Sequence, residues 1–212
     1  MENYLQKVGQ VTNTDELCRL ICDIGLYYDT RGIYNEWAFA MNEQGQGGLW
    51  QNPMELAKFL WGTKDMFKNA GVNSYLDIGT FNGFASFVII YFLKAHVCPS
   101  LRVRTIDPYN SIHPLVAPYI SQYYRQETID ENFEQWDLVF IDGNHQHPGP
   151  IHDFQSIRSS AKFAFFHDIV DRFCPDVQTT FQKVARHYRT IKFVERGDQF
   201  GIGLVILNSN HL

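Results

Sequence analysis

From residue 74 onward, short apolar stretches of strand length alternate with longer stretches of helical character. The strand-like stretches lie at residues 74–78, 101–106, 136–141, 162–166, 190–194 and 200–207. They are apolar almost throughout, which is typical of strands that are buried on both faces. The sequence therefore predicts an α/β fold, with a mostly parallel sheet between two layers of helices. The last two stretches are joined too tightly for a helical crossover, so the last strand is predicted to be antiparallel.

The part of the chain before residue 74 holds two further helix signals and an irregular stretch. Asn13 followed by Glu16 predicts the start of one helix, and Asn52 followed by Pro53 predicts the start of another. Residues 27–51 show no clear period and contain Gly-Gln-Gly-Gly at 45–48. We predict one globular domain, with an N-terminal extension at 1–50 and the α/β unit at 51–212.

The charge balance and the cysteine pattern disfavour several classes of function. Lys and Arg number 18 against 23 Asp and Glu, a net charge of −5, which disfavours nucleic acid as a partner. The longest apolar run, residues 84–93, is too short to cross a bilayer, so no membrane association is expected. The spacing of the cysteines does not suit a zinc cage, and free thiols indicate a cytoplasmic location; they are Cys18, Cys22, Cys98 and Cys174.

Three of the predicted strands are followed by an acidic residue, at Asp107, Asp142 and Asp168. A buried strand does not need an acid at its end. In an open parallel sheet, ligands bind at the carboxyl ends of the strands, where these three side chains are expected to meet. The repeated placement predicts a binding site at this edge of the sheet.

The turn after the first strand, Gly-Thr-Phe-Asn-Gly at 79–83, fits a ligand without phosphate better than a dinucleotide. It lacks the middle glycine that lets a backbone approach a pyrophosphate. Asp77 would repel a phosphate but attract a cation, and S-adenosylmethionine carries an ammonium and a sulfonium. Asp107 can accept hydrogen bonds from both ribose hydroxyls through its two oxygens. The alternative, that the turn is only a strand–helix connection, stays open at this point.

Three motifs resemble those of class I S-adenosylmethionine-dependent methyltransferases, and the likeness covers about residues 51–207. They are Leu-Asp-Ile-Gly-Thr-Phe-Asn-Gly at 76–83, Thr-Ile-Asp at 105–107 and Trp-Asp-Leu-Val-Phe-Ile-Asp-Gly-Asn-His at 136–145. The resemblance implies a Rossmann-like seven-stranded sheet of order 3-2-1-4-5-7-6 and an adenine pocket near Glu127 and Thr128. Together with the turn, it gives a cofactor-binding set of Asp77, Gly79, Thr80, Phe81, Asn82, Gly83, Asp107 and Asp142.

A second group of residues, Asp142 with His145 and then His167 with Asp168, resembles the metal-dependent sugar and macrolide-sugar O-methyltransferases and the cephalosporin-hydroxylase-like proteins. That likeness implies a divalent cation such as Mg²⁺ held by Asp142 and Asp168, with His145 as the catalytic general base. The family has an acid where this chain has His167. Either His167 is a metal ligand, which favours borderline metals, or it does not bind the metal.

Taken together, these features predict an enzyme, an S-adenosylmethionine-dependent methyltransferase that methylates an oxygen of a small hydroxylated acceptor such as a sugar. Residues 28–50 are expected to fold over the site as an acceptor lid. The alternatives are a nucleotide-binding or non-catalytic Rossmann-like protein, and an N- or RNA methyltransferase. A homo-oligomer is compatible with the sequence.

Overall fold

The computed structural model describes residues 1–25, 49–109, 112–120, 123–125, 135–195 and 197–207. Within these residues, seven strands form one sheet in the order β3-β2-β1-β4-β5-β7-β6. In chain order the strands are β1 (Ser74–Ile78), β2 (Arg102–Asp107), β3 (Tyr123–Arg125), β4 (Leu138–Ile141), β5 (Phe163–Phe166), β6 (Arg189–Phe193) and β7 (Ile202–Ile206). The helices are α1 (Glu2–Lys7), α2 (Thr14–Gly25), α3 (Pro53–Asn69), α4 (Phe84–His96), α5 (Gly149–Ile157) and α6 (Pro175–Ala185).

The strand order and directions confirm the predicted topology. Strands β1 to β5 pair in parallel, whereas β7 is antiparallel to both β5 and β6. The register aligns the carboxyl ends of the central strands, since Ile78 pairs with Ile106 and Ile141, and Ile141 pairs with Phe166. The residues that follow these ends therefore lie at one edge of the sheet.

The sheet is buried on both faces, and each face has its own layer of helices. On one face, α1 to α4 pack against strand residues such as Tyr75, Phe140 and Phe165. On the other face, α5 and α6 pack against the strand residues that alternate with these, such as Leu76 and Val139. This two-sided burial explains why the strands are apolar without alternation.

Helices α1 and α2 of the predicted N-terminal extension pack into the core. The buried Tyr4 hydroxyl donates a hydrogen bond to the Val88 carbonyl of α4 at 2.9 Å, and Leu17 and Ile21 are fully buried. Residues 1–25 thus form part of the helical layer, because their apolar side chains complete the packing against α3 and α4. The predicted lid lies almost wholly outside the described residues and stays a prediction.

The predicted helix starts are confirmed by their capping bonds. The Asn13 side chain accepts from the Glu16 amide at 2.9 Å, and the Asn52 side chain accepts from the Met54 amide at 2.9 Å. The described residues of the stretch 108–124 include a 3₁₀ turn at Ala117–Tyr119 and the start of the edge strand β3. No described helix is both long and apolar enough to span a bilayer.

Candidate functional site

A cavity of about 1070 Å³ lies at the carboxyl ends of β1, β2, β4 and β5. Its wall includes most of the residues predicted for the site, namely Gly79, Thr80, Phe81, Asn82, Asp107, Asp142, His145, His167 and Asp168. Asp77 and Gly83 do not line it. The aligned strand ends explain why side chains that are distant in the sequence share this wall.

The glycine turn after β1 packs tightly against the end of β4. Gly79 has a φ of +94°, and a Cβ atom built on it would lie 2.1 Å from the Asp142 carbonyl oxygen. Gly79 also donates its amide to the Ile106 carbonyl at 2.9 Å. Only glycine combines this backbone conformation with this close approach. The turn is therefore held against both neighbouring strands.

The second half of the turn starts helix α4. The Asn82 side chain accepts from the Phe84 amide at 3.2 Å, and Gly83 has a φ of +85°. A Cβ atom on Gly83 would lie 2.9 Å from Ile120. Gly83 thus shapes the turn without lining the cavity. Phe81 does line the cavity, and its side chain is exposed.

Asp77 was predicted to contact the methyl donor directly, but its side chain does not line the cavity. It is 1% exposed, and the Ser86 hydroxyl of α4 donates a hydrogen bond to its Oδ2 atom. The pleat of β1 directs residue 77 toward α4 because it is one residue inside the strand. Burial raises the pKa of Asp77 to about 7; the Ser86 bond opposes this rise, and the Asp142 and Asp107 carboxylates add to it.

Asp107 faces the cavity with both carboxylate oxygens positioned by backbone amides. Oδ2 accepts from the Phe81 amide at 2.8 Å, and Oδ1 accepts from the Tyr109 amide at 2.8 Å. A carboxylate has two oxygens that can each accept a hydroxyl. The bidentate contact of Asp107 with a ribose stays a prediction.

The two other strand-end acids alternate with two histidines in a closed arrangement. The Nδ1 atom of His167 lies 3.4 Å from Asp142 Oδ1 and 3.1 Å from Asp168 Oδ1. On the other side, His145 Nε2 lies 3.2 Å from Asp142 Oδ1 and 3.4 Å from Asp168 Oδ2. The structure therefore brings together all four residues that the sequence proposed for base and metal.

The charges in this arrangement perturb one another strongly. The hydrogen bond with Asp142 raises the pKa of His145 to about 11. Burial lowers the pKa of His167, but the carboxylates of Asp168 and Asp142 outweigh it and raise the pKa well above its usual value. Burial raises the pKa of Asp142, but the two histidines outweigh it and hold the pKa at about 2. These shifts favour the charged forms of His145, His167 and Asp142.

The side chains of this arrangement also fit, as metal ligands, the divalent cation that the resemblance implies. Ligand atoms of Asp142, His167 and Asp168 lie within 4.8 Å of one another. Bonds of about 2.1 Å at octahedral or tetrahedral angles separate ligand atoms by about 3.0–3.4 Å. The contacts of His167 Nδ1 with the two carboxylates, 3.4 and 3.1 Å, are in this range. The residues therefore fit a cation with mixed oxygen and nitrogen ligands.

Several residues of the wall were not predicted from the sequence. Gln51 donates its side-chain amide to Asp142 Oδ2 at 3.0 Å, and the Cys174 sulfur lies 3.6 Å from His145 Nδ1. Asp171 accepts from the Phe200 amide at 3.1 Å, which fixes a turn beside His167. Each contact joins residues at least 29 positions apart. No local pattern in the sequence links such distant positions.

Solved structures with the same fold include several methyltransferases. The O-methyltransferase NovP has a TM-score of 0.59 at 12% identity, covering 92% of this chain and 100% of that one. The O-methyltransferase TomG from Streptomyces achromogenes, solved with S-adenosylmethionine, has a TM-score of 0.55 at 16% identity, covering 98% and 96%. A putative RNA methyltransferase from Pyrococcus horikoshii has 0.52 at 10% identity, covering 92% and 97%.

At the level of sequence, no protein-family model and no curated protein matches the chain. The structural likeness spans nearly the whole length of NovP and TomG. Identities of 10–16% establish a shared architecture only. The chain therefore has the class I methyltransferase fold.

Proposed function

We propose that the protein is a methyltransferase that uses S-adenosylmethionine to methylate a hydroxyl of a small acceptor such as a sugar. The observation that carries the proposal is the shared wall of the glycine turn, Asp107 and His145. No Lys or Arg is among the described residues of that wall, which disfavours phosphate-bearing ligands. A cationic donor without phosphate suits a wall that carries several carboxylates.

Each part of the donor has a suitable partner in the wall. Asp107 would accept the two ribose hydroxyls through its two carboxylate oxygens, which the Phe81 and Tyr109 amides position. The turn from Gly79 to Asn82 would lie along the donor, and the Phe81 ring would cover it. TomG, which has the same fold, was solved with S-adenosylmethionine, and this supports the choice of donor.

Methyl transfer requires an acceptor oxygen in line with the bond between the methyl carbon and sulfur. The acceptor oxygen forms a bond to the methyl carbon, and the carbon–sulfur bond breaks with its electron pair staying on sulfur. The acceptor proton would pass to the ring of His145, which faces the cavity with 40% of its side chain exposed. The protein mainly aligns the two molecules and excludes water.

His145 accepts a proton only when its ring is neutral, whereas the hydrogen bond with Asp142 stabilises the charged form. The proposed base therefore depends on what neutralises the two carboxylates. A divalent cation held by Asp142, His167 and Asp168 would supply positive charge in place of the histidine protons and would lower the pKa of a nearby hydroxyl. Gln51, which binds Asp142, would help to keep that carboxylate in place.

Calorimetry with S-adenosylmethionine and with NAD tests the donor site directly. We expect S-adenosylmethionine to bind and NAD not to bind. The Asp107→Ala variant should weaken donor binding by about 10- to 100-fold, the loss of two charge-assisted hydrogen bonds. Asp176→Ala, outside the cavity wall, is the matched control and should bind as the parent does. Binding of NAD in preference to S-adenosylmethionine would favour the nucleotide-binding alternative.

A labelled methyl donor then tests the reaction and the acceptor. Incubation with a panel of sugars, small polyols and RNA should label a sugar or polyol, and base treatment distinguishes methyl esters from ethers. His145→Ala should retain donor binding but lose transfer. Equal transfer by this variant would remove His145 from the proposal, and labelling only of RNA would favour the RNA methyltransferase alternative.

A further inference from the structure

A thiol, an imidazole and a carboxylate meet in the cavity wall beside the proposed base. Cys174, His145 and Asp168 each offer one ligand atom, and these atoms lie within 4.8 Å of one another. All three residues line the cavity, and Cys174 is a free, partly exposed cysteine. We propose that these three residues form a binding site for a thiophilic divalent cation such as Zn²⁺.

The distances agree with a tetrahedral shell around such an ion. Bonds of about 2.3 Å to sulfur and about 2.0 Å to nitrogen or oxygen, at tetrahedral angles, separate the ligand atoms by about 3.5 Å. The Cys174 sulfur lies 3.6 Å from His145 Nδ1 and 3.8 Å from Asp168 Oδ2. Asp168 Oδ2 also lies 3.4 Å from His145 Nε2, so a shift of this carboxylate toward Nδ1 would make the three side chains ligands of one ion.

The chemical character of the ligands selects the class of ion. A cysteine sulfur binds Zn²⁺ and Co²⁺ far better than it binds the hard cations Mg²⁺ and Ca²⁺, which prefer oxygen. Cys174 is also the residue that caps the N-terminus of α6, an eleven-residue helix, and its side chain makes no capping hydrogen bond there. Its sulfur therefore faces His145 and Asp168 instead of the amides of the helix.

The carboxylate of Asp142 already orients the His145 ring through Nε2, the nitrogen that does not face Cys174. His145 Nε2 lies 3.2 Å from Asp142 Oδ1, while Nδ1 faces the sulfur of Cys174. A carboxylate that accepts from the far nitrogen of a metal-binding histidine fixes the ring and makes it a stronger ligand. Asp142 would act as such a positioning residue. Because the three ligands border the cavity, a fourth position stays open to solvent or a small molecule.

This site is distinct from the group of Asp142, His167 and Asp168, although both use Asp168. The Oδ1 atom of Asp168 faces His167, whereas its Oδ2 atom faces Cys174. An ion bound by Cys174 would occupy a nitrogen of His145. On the basis of the proposed function, such an ion would therefore block the base and inhibit methyl transfer.

Cobalt absorption spectroscopy on the reduced, metal-free full-length chain tests the site without relying on activity. Thiolate ligation of Co²⁺ gives a near-ultraviolet charge-transfer band, which hard ligands do not give. We expect this band to saturate at about one equivalent of Co²⁺, to disappear on addition of Zn²⁺, and to persist in excess Mg²⁺. The Cys174→Ser variant should lose the band, and its affinity for Zn²⁺ should fall about tenfold or more.

Cys98→Ser is the matched control, since Cys98 is the other partly exposed cysteine among the described residues. It should keep the band and the affinity, while His145→Ala should weaken both. Absence of the band in the parent protein, or its survival in Cys174→Ser, would overturn the proposal. Circular dichroism of each variant checks that the fold is retained.

Donor binding measured on the same samples separates this proposal from the proposed function. A chain that binds Co²⁺ through Cys174 but not S-adenosylmethionine supports the metal site and refutes the methyltransferase. A chain that binds S-adenosylmethionine but shows no cysteine-dependent band refutes the metal site alone.

Discussion

Gly79 lies so close to the end of β4 that a Cβ atom on residue 79 would stand 2.1 Å from the carbonyl oxygen of Asp142. The contact joins the turn proposed to hold the donor to the residue proposed to hold a cation. Its φ of +94° adds a second reason for glycine, because L-residues with a side chain rarely adopt it. A shift of the backbone at Gly79 is therefore expected to displace Asp142 as well.

Gly79→Ala should therefore lower both stability and donor affinity. The substituted backbone must move away from a carbonyl group that belongs to the sheet edge, which should cost about 3 kcal/mol or more in the free energy of unfolding. Urea unfolding measures the stability, and calorimetry measures the binding of S-adenosylmethionine.

Gly71→Ala is the matched control for this prediction. Gly71 also has a positive φ, +63°, but a Cβ atom there would meet nothing within 4 Å. It should cost only the conformational strain, about 1 kcal/mol. Equal losses in the two variants would show that the contact with Asp142 is not what requires glycine.

Much of this arrangement could be predicted from the sequence because it depends on local patterns. The predicted strand at 74–78 coincides with β1, and the acids at 107, 142 and 168 mark the ends of three further strands. A parallel register then brings the strand ends together without further information. The histidines were found for the same reason, since His167 precedes Asp168 directly and His145 follows Asp142 by three residues.

The contacts that the sequence did not reveal depend on packing between distant segments. The pleat turns Asp77 away from the cavity, and the sequence alone does not show which face of β1 borders α4. Cys174 meets His145 only because helix α6 starts beside the loop after β4. Edge strand β3 has three residues, too few for a clear period, and was predicted only through the resemblance.

Glu55 should be more important for stability than its position in the first turn of α3 suggests. It is 1% exposed, and its carboxylate accepts the Glu195 amide at 2.7 Å and the Gly201 amide at 2.9 Å. Glu55→Gln replaces one accepting oxygen with an NH₂ group that faces an amide donor. We expect a loss of about 2–3 kcal/mol in the free energy of unfolding, measured with urea.

Glu16→Gln provides the comparison for Glu55. The Glu16 carboxylate accepts from the Thr12 amide at 2.8 Å, but this bond is exposed to solvent. Its loss should therefore lower the free energy of unfolding less than the change at Glu55 does. The prediction for Glu55 fails if the two variants are destabilised to the same extent.

Because the Asp77 carboxyl group is buried, we expect the free energy of unfolding to fall as the pH rises toward 7. Burial raises its pKa in the folded protein from 3.8 to about 7, while Asp142 on the β4 side and Asp107 on the β2 side add repulsion. Between these two pH values the folded protein holds a proton that the unfolded chain has lost. The contribution of Asp77 is thus complete below about pH 3.8 and is lost as the pH rises to about 7.

The size of this effect has an upper limit on the order of 4 kcal/mol. Urea unfolding from about pH 4 to about pH 6.5, below the pH at which His145 and His167 lose their protons in the unfolded chain, measures most of it, and Asp77→Asn, which cannot ionise, should flatten the profile over this range. Asp137→Asn is the control. Burial raises the pKa of Asp137, but hydrogen bonds from Asn73 and Lys162 outweigh it, so its pKa is lowered and its stabilisation persists at neutral pH. A parent profile equal to that of Asp77→Asn would contradict the assigned proton.

Tyr4 tests whether the N-terminal helices belong to the folded core. Its hydroxyl donates to the Val88 carbonyl at 2.9 Å, and its ring packs on Phe87 with centroids 5.5 Å apart. Tyr4→Phe removes the hydrogen bond and should cost about 1 kcal/mol, whereas Tyr4→Ala also leaves a cavity and should cost about 3–5 kcal/mol. Both values come from urea unfolding. Leu5→Ala, at a partly exposed position of the same helix, should cost less than Tyr4→Ala. If removing the Tyr4 ring cost under about 1 kcal/mol, residues 1–25 would unfold separately from the sheet and would not belong to its cooperative core.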